Sequence, residues 1–167
     1  AGVDALFFDT TNGSLVWKDA YMALLEEFHK ARLDGIKTPQ VAFIMNFGPM
    51  PSTLHMLRSL YQDLYKPGLY RDLWFLWEGK PLVLAYPEAI PQEGKSDFDT
   101  ALLNEIRSFF TFRPPQPMYA GGPRREDQWG WLEIAPQNGY VKKPNGGYEM
   151  CTVGVAQNAR DGRICTH

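Results

Sequence analysis

The residues best suited to chemistry stand just after short apolar runs. Asp9, Thr10 and Asn12 follow Ala5-Leu6-Phe7-Phe8, Asn46 and Phe47 follow Val41-Ala42-Phe43-Ile44-Met45, and Tyr86 and Glu88 follow Leu82-Val83-Leu84-Ala85. Arg113 comes after Phe110-Thr111-Phe112. Glu133 lies inside Trp131-Leu132-Glu133-Ile134-Ala135 with Gln137 beyond it, and Gln157 and Asn158 close Val153-Gly154-Val155-Ala156. Carboxylates and amides are thus interleaved with Trp77, Tyr119, Trp129 and Trp131. Such groups offer hydroxyls paired donors and acceptors, and aromatic rings stack on C–H faces, so the mixture suits a sugar. The same residue types build turns at strand ends, and that role stands beside the binding role for each of them.

Glu133 is the sharpest position, because an acid in an otherwise apolar strand is paired, functional or on an exposed edge. Asp9, at the mouth of an apolar strand, is either a turn or cap residue or a second functional carboxylate. Two carboxyl groups facing one anomeric carbon hydrolyse a glycosidic bond, at about 5–5.5 Å for retention or about 6.5–9.5 Å for inversion. In that reading Glu133 is general acid/base or nucleophile, with its pKa raised by apolar burial, and Asp9 is its electrostatic or binding partner. Asn12, Asn46, Tyr86, Glu88, Arg113, Gln137, Gln157 and Asn158 contact the substrate, while Trp77 and Trp131 stack on it.

Other chemistries find little footing. His29, His55 and His167 have no metal-ligand spacing, so no metal is expected. There is no G-x-S-x-G, and neither Cys151 nor Cys165 has a histidine in a recognisable local motif. The turn Asp9-Thr10-Thr11-Asn12-Gly13-Ser14 has a single glycine and matches neither a dinucleotide fingerprint nor a P-loop, so no cofactor is expected. Arg124-Arg125-Glu126-Asp127 reads as a solvated loop run, with an arginine reaching an acidic sugar as the alternative. With 17 Lys and Arg against 19 Asp and Glu, the net charge of -2 argues against nucleic acid or an anionic membrane surface as partner. No apolar run approaches the length of about 18 residues that spans a membrane.

These residues need elements to position them. Tyr21, Leu24, Leu25, Phe28 and Ala31 recur at helical spacing and predict a helix from Trp17 to about Leu33, with Gly35 as its stop. Leu54, Leu57, Tyr61 and Leu64 predict a second helix, capped by Ser52 or Thr53 and ending near Pro67-Gly68. Leu102, Leu103, Ile106 and Phe109 predict a third, opened by Ser96-Asp97-Phe98-Asp99. Val3 to Phe8 and Val41 to Met45 read as strands buried on both faces, and Leu73 to Tyr86 as a hairpin around Glu78-Gly79. Later strands are expected over 110–113, 129–135 and 151–156, with a long loop from Pro136 to Glu149. Alternating strands and helices argue for a parallel sheet, either doubly wound or part of a (β/α)8 barrel, and the missing Gly-rich turn favours the barrel.

Two phrases carry a resemblance. Gly2-Val3-Asp4-Ala5-Leu6-Phe7-Phe8-Asp9 resembles the opening strand of (β/α)8 glycoside hydrolases of the endo-α-mannosidase and α-1,3-glucanase type, and Gly79-Lys80-Pro81 resembles the turn that leads into one of their strands. The phrasing is most similar to that of secreted bacterial relatives of these enzymes. The resemblance implies glycoside hydrolysis and an extracytoplasmic location. It also departs from the pattern, since those enzymes carry acids in an HxEP-like strand end where this chain has Phe43-Ile44-Met45-Asn46-Phe47. That gap keeps open a non-catalytic carbohydrate-binding or structural barrel. A complete barrel takes about 250 residues. The 167 here, with five or six strand candidates, are expected to be an incomplete barrel whose remaining part comes from the same chain.

Overall fold

A computed structural model describes residues 2–91, 99–116, 122–130, 132–133, 137–154, 158–160 and 163–165. The chain divides into two compact units, Ala1–Phe112 and Arg113–His167.

The first unit alternates strands and helices. Its elements are β1 (Ala5–Asp9), α1 (Lys18–Leu33), β2 (Gln40–Ile44), α2 (Pro51–Leu60), β3 (Leu76–Trp77), β4 (Lys80–Leu84), α3 (Thr100–Phe109) and β5 (Thr111–Phe112). β1, β2, β4 and β5 pair in parallel in chain order, and β3 folds back antiparallel on the start of β4. The unit is therefore α/β with a parallel sheet, as the alternation predicts. The register aligns Asp9 with Ile44 and Ile44 with Leu84, so the strands present their C-terminal ends along one edge.

Side-chain alternation divides the sheet into two faces. Leu6 and Phe8, then Val41, Phe43 and Met45, then Val83 and Ala85 pack into the helix-covered core. On the opposite face Ala42, Ile44, Leu82 and Leu84 are also buried. β2 and β4 are thus apolar on both faces, as parallel strands require. β1 departs from that expectation: Leu6 and Phe8 face the core, but Phe7 and Asp9 alternate out to exposed positions.

The aromatic richness of the sequence goes largely into the core. Tyr65 packs against Trp74 at 4.8 Å and against Phe110 at 4.9 Å, and Tyr61 meets Phe109 at 5.1 Å. α1 keeps the predicted span. α2 begins earlier than predicted, at Pro51 after an extended Met50, because proline at the first helical position lacks an N–H that would need a partner. Ser52 and Thr53 therefore lie inside the helix rather than capping it. α2 continues as a π-helical turn over Tyr61–Tyr65 before Pro67-Gly68. α3 is capped by Asp99, whose carboxylate accepts from the N–H groups of Ala101 at 2.9 Å and Leu102 at 3.4 Å. The other residues of its expected opening, 96–98, lie outside the described ones. The β3–β4 hairpin turns on Glu78 and Gly79, with φ of 53° and 80°, the left-handed pair that a two-residue hairpin loop demands.

The second unit contains only strands among its described residues. β6 (Leu132–Glu133) pairs in parallel with β9 (Val153–Gly154), β7 (Gly139–Lys142) with β8 (Tyr148–Cys151) as a hairpin, and β10 (Asn158–Arg160) with β11 (Arg163–Cys165). Among the described residues, the expected fifth and sixth strands hold β6 and β9, which pair with each other, and Cys151 of the sixth belongs to β8. The segment expected as a loop carries the β7–β8 hairpin, turned at Pro144-Asn145 where the Gly146 N–H donates to the Lys143 carbonyl at 3.0 Å, with Gly146 itself at a φ of 86°.

Candidate functional site

The predicted site residues fall into three groups. Asp9 and Asn12 after β1, Asn46 after β2, and Tyr86 and Glu88 after β4 gather along the C-terminal edge of the parallel sheet. Trp77 does not join them, because β3 pairs with Lys80 and Pro81 at the other end of β4. Its ring stacks on Phe75 at 6.3 Å and its carbonyl accepts from the Thr111 hydroxyl at 2.7 Å. Arg113, Glu133 and Gln137 belong to the second unit. Trp131 and Gln157 lie outside the described residues, as do Tyr119 and the side chain of Asn158.

Several of these side chains are committed to structure. Asn46, 4% exposed, donates through Nδ2 to the carbonyls of Thr11 at 2.9 Å and Gly13 at 3.0 Å. Its Oδ1 accepts from Ser52 at 3.1 Å and Thr53 at 3.3 Å. All four of its hydrogen-bonding valences tie the loop after β1 to the start of α2, so none is left for a substrate hydroxyl. Asp9 is exposed and accepts from the Thr11 N–H at 2.9 Å, the turn geometry weighed for it from sequence. Arg113 makes a two-point ion pair with Glu149, both distances 2.9 Å, and Glu149 also accepts from the Trp129 indole at 2.8 Å. Gln137 reaches the Glu133 carbonyl at 3.4 Å.

Glu133 is 1% exposed. Its carboxylate accepts from the Asn138 backbone N–H at 2.7 Å, the Asn138 amide at 3.0 Å, the Thr152 hydroxyl at 2.8 Å and the Tyr140 hydroxyl. Burial is the largest single influence and pushes its pKa up. The bonds from Tyr140, Thr152 and Asn138 together outweigh it and hold the carboxyl below its usual value. This reverses the direction expected of a general acid: donors crowd the charged form and favour it.

A cleft in the first unit has no counterpart among the residues singled out from sequence. It has a volume of about 450 Å³ and is walled by the loop after β1 and the first turn of α1, with His55 and Ser59 of α2 and Asp63 of the π-helical turn opposite. Trp17 stands on this wall as the N-cap of α1. Its backbone is left-handed at φ 54° and ψ 56°, and its side chain is 63% exposed. A left-handed tryptophan costs about 1–2 kcal/mol, which the surrounding loop must hold. The loop is held by the Asn46 bonds and by the Thr10 hydroxyl, which donates to the Ile44 carbonyl at 2.7 Å. Lys18 and Asp63 close a 2.9 Å ion pair at the cleft. Burial, and then the charge of Asp63, push the Tyr21 hydroxyl up to about 12. The signal for Trp17 was its place between a polar turn and an amphipathic helix, which periodicity assigns to the helix.

Among the described residues, no group of three or more His, Cys, Asp or Glu is placed to hold a metal ion, and no helix is long and apolar enough to cross a membrane. Comparison with known proteins gives no match: no family model, no curated protein and no solved structure matches the chain.

Proposed function

We propose that this chain is a glycan-binding α/β domain built on a (β/α)8-type plan and belonging to a glycoside hydrolase-like barrel. The architecture is supported by four parallel strands in unbroken chain order and by a sheet whose central strands are apolar on both faces. The rest of the same chain would supply the remaining strands, and an extracytoplasmic setting goes with the glycan reading. The observation that carries the binding function is Trp17, an indole held exposed by a strained backbone beside a cleft that also offers a serine, a histidine and an ion pair. Sugar rings stack their C–H faces on such an apolar surface, while polar neighbours take the hydroxyls. Titration calorimetry with neutral gluco- and manno-oligosaccharides tests this. The chain binds one series, and Trp17→Ala weakens that binding about tenfold; equal binding by the variant removes Trp17 from the site.

Hydrolysis is the second reading, favoured by the exposed carboxylates of Asp9 and Glu88 on the same sheet edge. Release of reducing ends from the bound glycan, abolished by Asp9→Asn or Glu88→Gln, would establish it. Glu133 has no part in this version, because its carboxylate is enclosed by its own donors.

A further inference from the structure

The second unit carries a cleft of about 520 Å³ between the 123–126 loop and the β7–β8 hairpin. That volume lies within the range of about 300–1,000 Å³ typical of small-ligand sites. Its chemistry differs from that of the Trp17 cleft, for it is lined by Arg124, Arg125, Glu126, Lys142 and Tyr148. Arg125 is neutralised by Asp127, with two contacts of 3.0 Å each. Arg124 and Lys142 have no carboxylate partner among the described residues. Among the described residues, the lining thus carries one acid, Glu126, and two cations that make no ion pair.

The walls are built rather than loose. The Arg124 backbone N–H donates at 2.8 Å to Gln128, which is 1% exposed and reaches the Pro115 carbonyl at 3.4 Å. Opposite, Tyr148 is 47% exposed and its ring lies over Gly139 so closely that a Cβ there would clash with it. Only a residue without a Cβ at 139 admits the ring in this position. Val141 adds a left-handed backbone at φ 52°, a rare conformation for a β-branched residue.

We propose that this cleft is a subsite for an acidic saccharide, with the anionic substituent held by Arg124 and Lys142 and a sugar face laid on Tyr148. Arginine and lysine recognise carboxylate and sulfate groups through charge-assisted hydrogen bonds, and the tyrosine supplies the apolar surface that a free anion would not need. The assignment rests on the glycan reading and narrows it to glycans bearing carboxylates or sulfate esters.

The test is calorimetric titration of the whole chain with tetragalacturonate, with a neutral tetrasaccharide of similar size, and with inorganic sulfate, each at low and high salt. Tetragalacturonate binds, and its affinity falls as salt screens the cations. The double variant Arg124→Gln/Lys142→Gln weakens it about tenfold, and Tyr148→Ala weakens it while leaving sulfate unaffected. Both cations are exposed, so the variants keep the fold, and their melting temperatures verify it. Equal affinity for acidic and neutral sugars, or indifference to the double variant, overturns the subsite. Sulfate binding that matches tetragalacturonate and ignores Tyr148 overturns the saccharide assignment. Trp17→Ala, measured on neutral sugars alone, reports separately on the broader glycan reading.

Discussion

A buried carboxylate can serve chemistry or architecture, and its hydrogen bonds decide which. At Glu133 two neutral hydroxyls, an amide and a backbone N–H converge on the charged form. Truncation to Ala leaves those donors without an acceptor and costs about 3–5 kcal/mol, while Glu133→Gln costs about 1–3 kcal/mol, both read by thermal melting. A lost glycan activity with an unchanged melting temperature would contradict this. The carboxyl is held below its ordinary value in the folded state. Its stabilisation is therefore complete above the unfolded value of about 4.3 and drains away as pH falls through the lower folded value. Acid titration of Glu133→Gln should accordingly show a shallower loss of stability than the parent chain. Asn46→Ala, which removes the donors to two loop carbonyls and the acceptor of the Ser52 hydroxyl, should cost about 2–3 kcal/mol by the same measurement. The sequence exposed Glu133 because an acid among apolar neighbours is conspicuous. It hid the acid's partners, since Tyr140 lies on β7 and Thr152 between β8 and β9, whose pairing no local pattern encodes.

At the scale of elements, strain and tight approach separate stability from binding. Trp17→Gly relieves a left-handed backbone and should leave the melting temperature unchanged or raise it, even as glycan binding weakens. A large drop in melting temperature would mean that the indole is a packing residue after all. Gly139→Ala should do the opposite, driving a methyl group into the Tyr148 ring at a cost of about 1–3 kcal/mol and weakening tetragalacturonate binding through the displaced ring. Helices were legible to within a few residues, because amphipathic spacing is a local property. The β7–β8 hairpin is hard to see in the sequence, since Gly139, Pro144, Gly146 and Gly147 crowd the segment and its alternation is short. Glu149 was missed with it, although it holds both Arg113 and Trp129.

Across the whole molecule, the alternation of strand and helix runs as far as Phe112 and then gives way to strands alone among the described residues. Composition could not mark that boundary, because apolar runs of similar length continue on both sides of it. What changes is the content of the connections: the stretch between the parallel β6 and β9 holds the β7–β8 hairpin where the first unit places a helix. If each compact unit carries its own core, Glu133→Gln should speed amide hydrogen exchange across 138–152 and leave 41–45 and 82–85 protected. Equal acceleration in both would show that the two units share one cooperative transition.

The turn of the β7–β8 hairpin also makes the protein's age readable. Asn145 is exposed and precedes a glycine, the arrangement in which a backbone nitrogen attacks a side-chain amide to give a succinimide and release ammonia. Here the attacking Gly146 N–H donates to the Lys143 carbonyl at 3.0 Å, and the Asn145 side-chain oxygen accepts from Gly147 at 3.1 Å, so the closed hairpin restrains the reaction. We predict that deamidation of Asn145, followed by mass spectrometry on stored protein, proceeds slowly in the parent and faster in Gly139→Ala. Equal rates would show that the turn opens without the hairpin. Each event places a new carboxylate in the turn that joins Lys142 to Tyr148, so old preparations should bind acidic sugars less well than fresh ones.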